Sequence, residues 1–288
     1  MNSLVLKSPA KLNLYLNVLR KRPDGYHDIE TVFEKIALFD TITIRSKKRG
    51  VRITTDNPAL PTGSKNLAYK AARAIFDKTG FKEGVWIAIK KNIPVAAGLG
   101  GGSSNAAAVL VGINRFFKLG LKKRELIEIG RALGADVPFF IYDYTFAVGR
   151  GIGDKLIHIN SKNIMWHIII SFDFAVATKG VYGDLNLGLT PKPVDAKIVP
   201  RFIMKNDIEN LGACLYNKLE EVVLSKFKIV GAVKNLLLKN GAYGALLSGS
   251  GPTIFGITKT REEAIAVKQR IAKDIRRGCK ILIANTMA

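Results

Sequence analysis

Residues 92–110 read NIPVAAGLGGGSSNAAAVL, with four glycines and two serines set between a run of strand composition and a run with an apolar helical face. A flexible linker is flanked by polar residues on both sides, whereas NAAAVLVGINRFF follows here at once. The alternative is an anion cradle. Glycines let backbone N–H groups approach phosphate oxygens closely, and the first turn of the next helix adds unpaired N–H donors and the positive end of its dipole. On this reading Pro94, Val95, Ala96, Ala97, Gly98, Leu99, Gly100, Gly101 and Gly102 form the loop. Ser103 and Ser104 then cap a helix expected over 104–117, or offer hydroxyls to a phosphate or its metal.

Two common phosphate motifs fail on this stretch. No Lys-Ser/Thr follows the glycines, and the next lysine is Lys118, far down the helix, so this is no Walker A loop. Counting G-x-G-x-x-G from Gly98 lands on Ser103, and from Gly100 on Asn105, so the dinucleotide fingerprint fails as well.

Upstream of the loop, SLVLKSPAKLNLYLNVL, DTITIRS and GVRITT alternate apolar and polar residues with the period of strands. NLAYKAARAIFDKTG places Leu67, Ala71, Ala74 and Ile75 at helical spacing and ends on Gly80 as a C-cap. VWIAIKKNIP returns to a strand that Pro94 terminates, and KKRELIEIGRALGADVPFF gives a helix running out at Gly134. The pattern restarts beyond about residue 150 with MWHIIISF. Helices are expected over DIENLGACLYNKLEEVVL and FKIVGAVKNLLLKNG, followed by AYGALLSGSGPTIFGI. A capping box from Thr260 to Glu263 opens the last helix, and the strand CKILIAN closes the chain. The class is α+β, with two domains meeting near Gly149 to Asp154: residues 1–153 and 154–288.

The 288 residues, 48% of them hydrophobic, suffice for one large core or two of about 100–150 residues each. Lys and Arg number 45 against 23 Asp and Glu, a net charge of +22, which biases the surface toward anions: nucleic acid, acidic lipid or phosphorylated metabolites. The basic residues are spread along the chain, so a merely solvated lysine-rich surface fits equally well. Cys214 and Cys279 are too few for a disulfide framework, and the three histidines show no ligand spacing. Lys7 and Lys11 break any signal-peptide core, and Asp173 interrupts WHIIISFDFAVA well short of a membrane span, so a cytoplasmic protein without membrane partners is expected.

The pattern P-x-x-x-G-L-G-S/G-S-S resembles the ATP loop of the kinase superfamily of galactokinase, homoserine kinase, mevalonate kinase and phosphomevalonate kinase. SPAKLNLYLNV and LLSGSGPTIFGI resemble its outer motifs, in the same order, so the resemblance spans nearly the whole chain. SPAKLNL, RPDGYHDIETVF, GADVPFF and the glycine-rich GLGGGSSNAA together resemble one branch, whose acceptor is a small molecule carrying a cytidine diphosphate. The resemblance implies an N-terminal domain related to the second domain of ribosomal protein S5, a ferredoxin-like C-terminal domain, and an active site in the cleft between them. It also implies ATP as co-substrate. Some members of the superfamily hold the metal with an acidic residue; none is placed for that in this sequence, so Mg²⁺ is expected to bind ATP mainly through phosphates, water and Ser104.

By sequence alone, Asp136 in GADVPFF is a loop aspartate that caps a helix or is solvated; the resemblance makes it the catalytic base. Lys11 falls on the strand face of Asn13 and Tyr15, opposite Leu12, Leu14 and Leu16, where it is either a solvent-facing lysine or, by the resemblance, the partner that keeps Asp136 ionised. Asn13 joins the substrate contacts on the same basis. DGYH reads as hairpin chemistry with Tyr26 packed on the core; the family instead uses the matching Tyr26 and His27 on the cytosine ring, with Tyr182 as a second ring. Gly249, Ser250 and Gly251 in SGSGPT are either a plain turn or the lining of the cleft. The alternatives are another small-alcohol kinase of the superfamily, or a basic nucleic-acid-binding protein, for which the clustered arginines and exposed aromatics are missing. No nucleic-acid partner is expected, and the chain is a monomer or homodimer.

Overall fold

Two long strands open the structure, β1 (Ser3–Lys21) and β2 (His27–Lys47). The computed structural model describes residues 3–188, 195–275 and 278–287. After β2 come β3 (Val51–Thr55), α1 (Leu67–Thr79), β4 (Gly84–Lys90), α2 (Gly101–Phe116), α3 (Lys123–Leu133) and α4 (Val137–Ile141). They are followed by β5 (Phe146–Arg150), β6 (Lys155–Ile159), β7 (Trp166–Ser171), α5 (Thr178–Gly183), α6 (Ile198–Lys205), α7 (Ile208–Ala213) and β8 (Tyr216–Asn217). The chain ends with α8 (Glu220–Lys226), α9 (Lys228–Lys239), β9 (Gly244–Leu247), β10 (Ile254–Thr258), α10 (Arg261–Ile271) and β11 (Lys280–Asn285).

The residues form two compact units. The first comprises Met1–Ala10, Leu38–Pro94 and Gly100–Tyr144; the second comprises Lys11–Ala37, Val95–Leu99 and Thr145–Ala288. In the first unit β3 runs parallel to β4, joined through α1, and β4 runs antiparallel to Thr41–Lys47 of β2. The inward residues Ile42, Ile44, Ile53, Val85, Ile87 and Ile89 meet the apolar faces of α1 and α2 in one core. Gly112 of α2 permits the close approach, since a Cβ there would come within 2.4 Å of Leu6 Cδ1 and 2.5 Å of Ile44 Cδ1.

In the second unit, β11-β7-β10-β9 form a four-stranded antiparallel sheet. Numbered by order in this part of the chain, the strands lie 4-1-3-2, with helices crossing from the first to the second strand and from the third to the fourth. That is the ferredoxin-like β-α-β-β-α-β arrangement. Its core joins Ile168, Ile170, Leu247 and Ile254 to Val230, Val233 and Leu237 of α9 and to Ala264, Val267 and Ile271 of α10. In the same unit β5 pairs with Thr31–Glu34 of β2 and with β6, so Gly149 to Asp154 form the end of a hairpin.

Local chemistry sets several boundaries as expected. Gly80 ends α1 in the left-handed region at φ 68°, and Thr260 and Glu263 form both bonds of the capping box on α10. Others differ from the sequence reading. DTITIRS is the end of the single long strand β2, and the helix expected over DIENLGACLYNKLEEVVL is interrupted by β8, where Tyr216 and Asn217 pair in parallel with Tyr15 and Leu16. Among the described residues, no helix is long and apolar enough to cross a membrane.

Candidate active site

The glycine loop is held at its entry and at its middle by different means. At the entry, in the first unit, the fully buried Asp40 carboxylate accepts from the Lys91 ammonium and from the amides of Asn92 (2.8 Å) and Ile93 (2.9 Å). The Asn92 side chain donates to the Phe39 carbonyl at 2.9 Å, so the end of β4 is fixed before the glycines begin. Sequence reading missed Asp40, because its partners lie about fifty residues away in the chain.

The helix that follows starts earlier than expected. Gly100 is its N-cap at φ 70°, Gly101 its first residue, and no side chain caps it. Ser103 and Ser104 therefore lie inside the first turn and do not cap it. Ser104 is buried, with Ser8 Oγ 2.7 Å from its hydroxyl and 2.8 Å from Asn105 Oδ1. An N-terminal turn without a capping side chain and without an acidic residue keeps its first amides and its dipole available to an anion.

The middle of the loop, Val95–Leu99, belongs to the second unit. The Leu99 carbonyl accepts from the Lys11 amide at 3.0 Å, and the Gly98 carbonyl from Ser248 Oγ at 3.0 Å. Gly98 must be glycine: its φ is 77°, and a Cβ would stand 2.0 Å from the Ser248 carbonyl oxygen. Gly249 also faces polar groups, though less tightly: a Cβ there would be 3.2 Å from Gly98 O, 3.3 Å from Lys11 Nζ and 3.4 Å from Asn13 Oδ1. Asn217, another residue the sequence did not signal, holds this turn by donating to the carbonyls of Leu247 (2.8 Å) and Gly249 (2.7 Å). Ser250 Oγ lies 2.8 Å from Thr178 Oγ1, and Gly251 donates to the Ser248 carbonyl at 2.9 Å.

Lys11 is not a solvent-facing lysine. Every residue from Ala10 to Leu16 is buried, Lys11 at 4% exposure and Asn13 at 1%, so this part of β1 is covered on both faces. The Lys11 ammonium donates to Asn13 Oδ1 and stands 5.5 Å from the centre of the Phe33 ring. Tyr15 on the same face packs against Tyr216 at 5.5 Å between ring centres, and burial pushes its phenol well above the ordinary range, which keeps it protonated.

Among the aromatic candidates, the second unit brings His27 and Tyr182 together at 5.0 Å between ring centres and 34° between planes. Tyr26 is 58% exposed and does not pack on the core; its amide donates to Asp24 at 3.1 Å within a turn tied by Arg22 and Asp28. Burial, and after it the charge of Lys21, holds the His27 imidazolium below its ordinary pKa.

Asp136, in the first unit, is half-buried and forms the N-cap of the short helix α4. Gly130 of α3 admits that helix, because a Cβ there would come within 2.8 Å of Ile141 Cδ1 and 3.0 Å of Val137 Cγ1. The aspartate thus opens one helix as well as following another.

Residues 66–144 match the GHMP kinases N terminal domain, and residues 201–276 match the GHMP kinases C terminal domain. The 4-diphosphocytidyl-2-C-methyl-D-erythritol kinase of Geobacter metallireducens is 45% identical over 272 residues, covering 94% of this chain and 95% of its own. The chain belongs to the 4-diphosphocytidyl-2-C-methyl-D-erythritol kinase family. The kinase of the same name from Syntrophus aciditrophicus is 43% identical, covering 91% of this chain and 92% of its own. A crystal structure of 4-(cytidine 5'-diphospho)-2C-methyl-D-erythritol kinase superposes with a TM-score of 0.83 at 28% identity, over 99% of this chain and 100% of that one. A homoserine kinase from Cytophaga hutchinsonii shares the fold at a TM-score of 0.72 and 20% identity, covering 100% of this chain and 95% of its own. As a member of this family the chain is an ATP-dependent kinase.

Proposed function

We propose that the chain transfers the γ-phosphoryl group of ATP to the 2-hydroxyl of 4-diphosphocytidyl-2-C-methyl-D-erythritol, giving ADP and the 2-phosphate, in the non-mevalonate route to isoprenoid precursors. The observation that supports this most is the 45% identity to a kinase of that name across 94% of the chain. Residues 1–153 are the nucleotide-binding and catalytic part, and 154–288 complete the substrate site.

In this reading the loop from Pro94 to Ser104 takes the phosphates of MgATP, with its glycine amides and the uncapped first turn of α2 as donors. Mg²⁺ arrives with ATP as part of the substrate. Asp136 accepts the proton of the acceptor hydroxyl as its oxygen attacks phosphorus, and Lys11, fixed by Asn13, is the cation that steadies the charge on the transferred group. Tyr26, His27 and Tyr182 take the cytosine, while Gly249, Ser250 and Gly251 line the substrate site. The chain works in the cytoplasm as a monomer or homodimer.

The test is ADP release from ATP against a panel of acceptors: the diphosphocytidyl conjugate, its uridine counterpart, mevalonate and homoserine. The reading requires the cytidine conjugate to lead by kcat/KM. Stimulation by mevalonate or homoserine equal to that by the conjugate would return the chain to an unspecified alcohol kinase of the superfamily.

A further inference from the structure

Behind Asn13 lies a fully buried hydroxyl that the mechanism above does not use, that of Thr31 on β2. Asn13 Nδ2 donates to Thr31 Oγ1 at 2.8 Å, and Thr31 Oγ1 donates to the Tyr15 carbonyl at 2.6 Å. A carbonyl oxygen only accepts and a hydroxyl carries one proton, so the proton of Thr31 is committed to Tyr15 and its oxygen can only accept from Asn13. That fixes the amide of Asn13 with its NH₂ toward Thr31 and its carbonyl oxygen toward Lys11, whose ammonium can only donate. The reversed amide would set NH₂ against ammonium at one end and leave Thr31 without a donor at the other. We infer that Thr31 is a positioning residue that acts through Asn13 on Lys11 and holds the lysine ammonium where phosphoryl transfer needs it.

The surroundings are built to keep this relay rigid. Thr31 pairs with Gly149 across the β2–β5 ladder, and a Cβ on Gly149 would lie 3.0 Å from Thr31 Cγ2 and 2.8 Å from Phe33 Cε2. Glycine on β5 thus gives room to the methyl of Thr31 and to the ring beneath Lys11. With Asn13 at 1% exposure and Thr31 at 0%, no solvent replaces a lost partner, so removing the hydroxyl frees the Asn13 amide to turn and leaves the acceptor it offers Lys11 no longer fixed.

The inference rests on Lys11 acting in catalysis, and the experiment separates the two claims. Thr31→Val keeps the branched shape that packs at Gly149 and removes only the hydroxyl; Thr31→Ser keeps the hydroxyl. Thr31→Cys, with a weak donor in nearly the same volume, is a second variant should valine not fold. With ATP and the diphosphocytidyl conjugate, Thr31→Val and Thr31→Cys should lower kcat about 10- to 100-fold, the scale of a catalytic group displaced by about an ångström. KM for ATP should hold, and Thr31→Ser should recover most of the loss. In a Lys11→Met background, adding Thr31→Val should change kcat little, because the group it positions is already gone. A Thr31→Val loss that is undiminished in the Lys11→Met background, wild-type kcat in Thr31→Val, or no rescue by serine would each overturn the relay while leaving Lys11 in its role. Wild-type kcat in Lys11→Met would instead overturn the reading of Lys11, and the relay with it.

Discussion

His27 carries the clearest chemical consequence at the level of a single residue. Burial first, and Lys21 second, depress its pKa below the ordinary value of about 6.5, so at neutral pH the ring is uncharged, with one nitrogen donating and the other accepting. Its ring lies against Tyr182; on the proposed function a stacked ring supplies affinity for a planar base, and the hydrogen bonds of the imidazole would supply its identity. Protonation converts both nitrogens to donors and removes the acceptor. The kcat/KM for the cytidine conjugate should therefore stay level from about pH 8 down to about 6.5 and fall only below that, as pH passes through the lowered folded value. The same sign holds for stability: the unfolded chain takes up the proton at a higher pH than the folded one, so His27 reduces stability as pH falls below about 6.5 and not above it. His27→Gln should remove the histidine's part of the acid limb. An acid limb that already begins above pH 6.5 in the native protein, and vanishes in His27→Gln, would show that the ring is charged in the site.

Among the elements, the junction of β4 with the glycine loop depends on an acid placed on another strand. Asp40 joins a buried ammonium and two backbone amides, and removing it leaves Lys91 charged, 6% exposed and unmatched. One-sided loss of a buried pair costs about 3–5 kcal/mol, so Asp40→Ala should lower the unfolding free energy by that amount in urea and weaken ATP binding. Asp40→Ala combined with Lys91→Met should regain part of the stability, because the stranded charge is gone. A loss under about 1 kcal/mol in Asp40→Ala would mean that the loop entry is held by other contacts. This anchor was invisible in the sequence, whereas Gly80 and the Thr260–Glu263 box were legible, since caps are written within a few residues of where they act. The start of α2 was misread for a related reason: the serines advertise a side-chain cap, but Gly100 in the left-handed region ends the loop without one. The face of Lys11, Asn13 and Tyr15 was open on sequence alone, because alternation assigns two faces to a strand and cannot say that both are covered. What the motifs carried was chemical type, and what they could not carry was the partner: Thr31 for Asn13, Asn217 for the SGSG turn, Gly130 for the helix behind Asp136.

Over the whole molecule the dominant physical fact is a net charge of +22, read equally well at first as bait for nucleic acid, as attraction for phosphorylated metabolites, or as plain solvated surface. Membership of a kinase family narrows the choice, since ATP and a cytidine diphosphate conjugate are both polyanions. A positive field raises the local concentration of anionic substrates and their encounter rate by about 10- to 1,000-fold at low salt, and it is screened as the Debye length contracts from about 30 Å at 0.01 M to about 3 Å at 1 M. The field acts on arrival and not on a bound transition state held within a few ångströms of fixed donors. Raising potassium chloride from about 0.02 to about 0.5 M should therefore lower kcat/KM for ATP and for the conjugate by about tenfold or more while leaving kcat nearly unchanged. Viscosity and chloride competition are controlled with a neutral osmolyte and with potassium acetate, which share one property each with the test salt. Generic RNA supplies the contrast: a protein that tracked phosphate backbones would lose RNA affinity with a log–log slope of several units over the same range, and RNA would inhibit the kinase at low salt. If kcat/KM proves flat with salt, the +22 is solvated surface with no part in substrate capture. If RNA binds steeply and competes with ATP, the charge serves a second ligand.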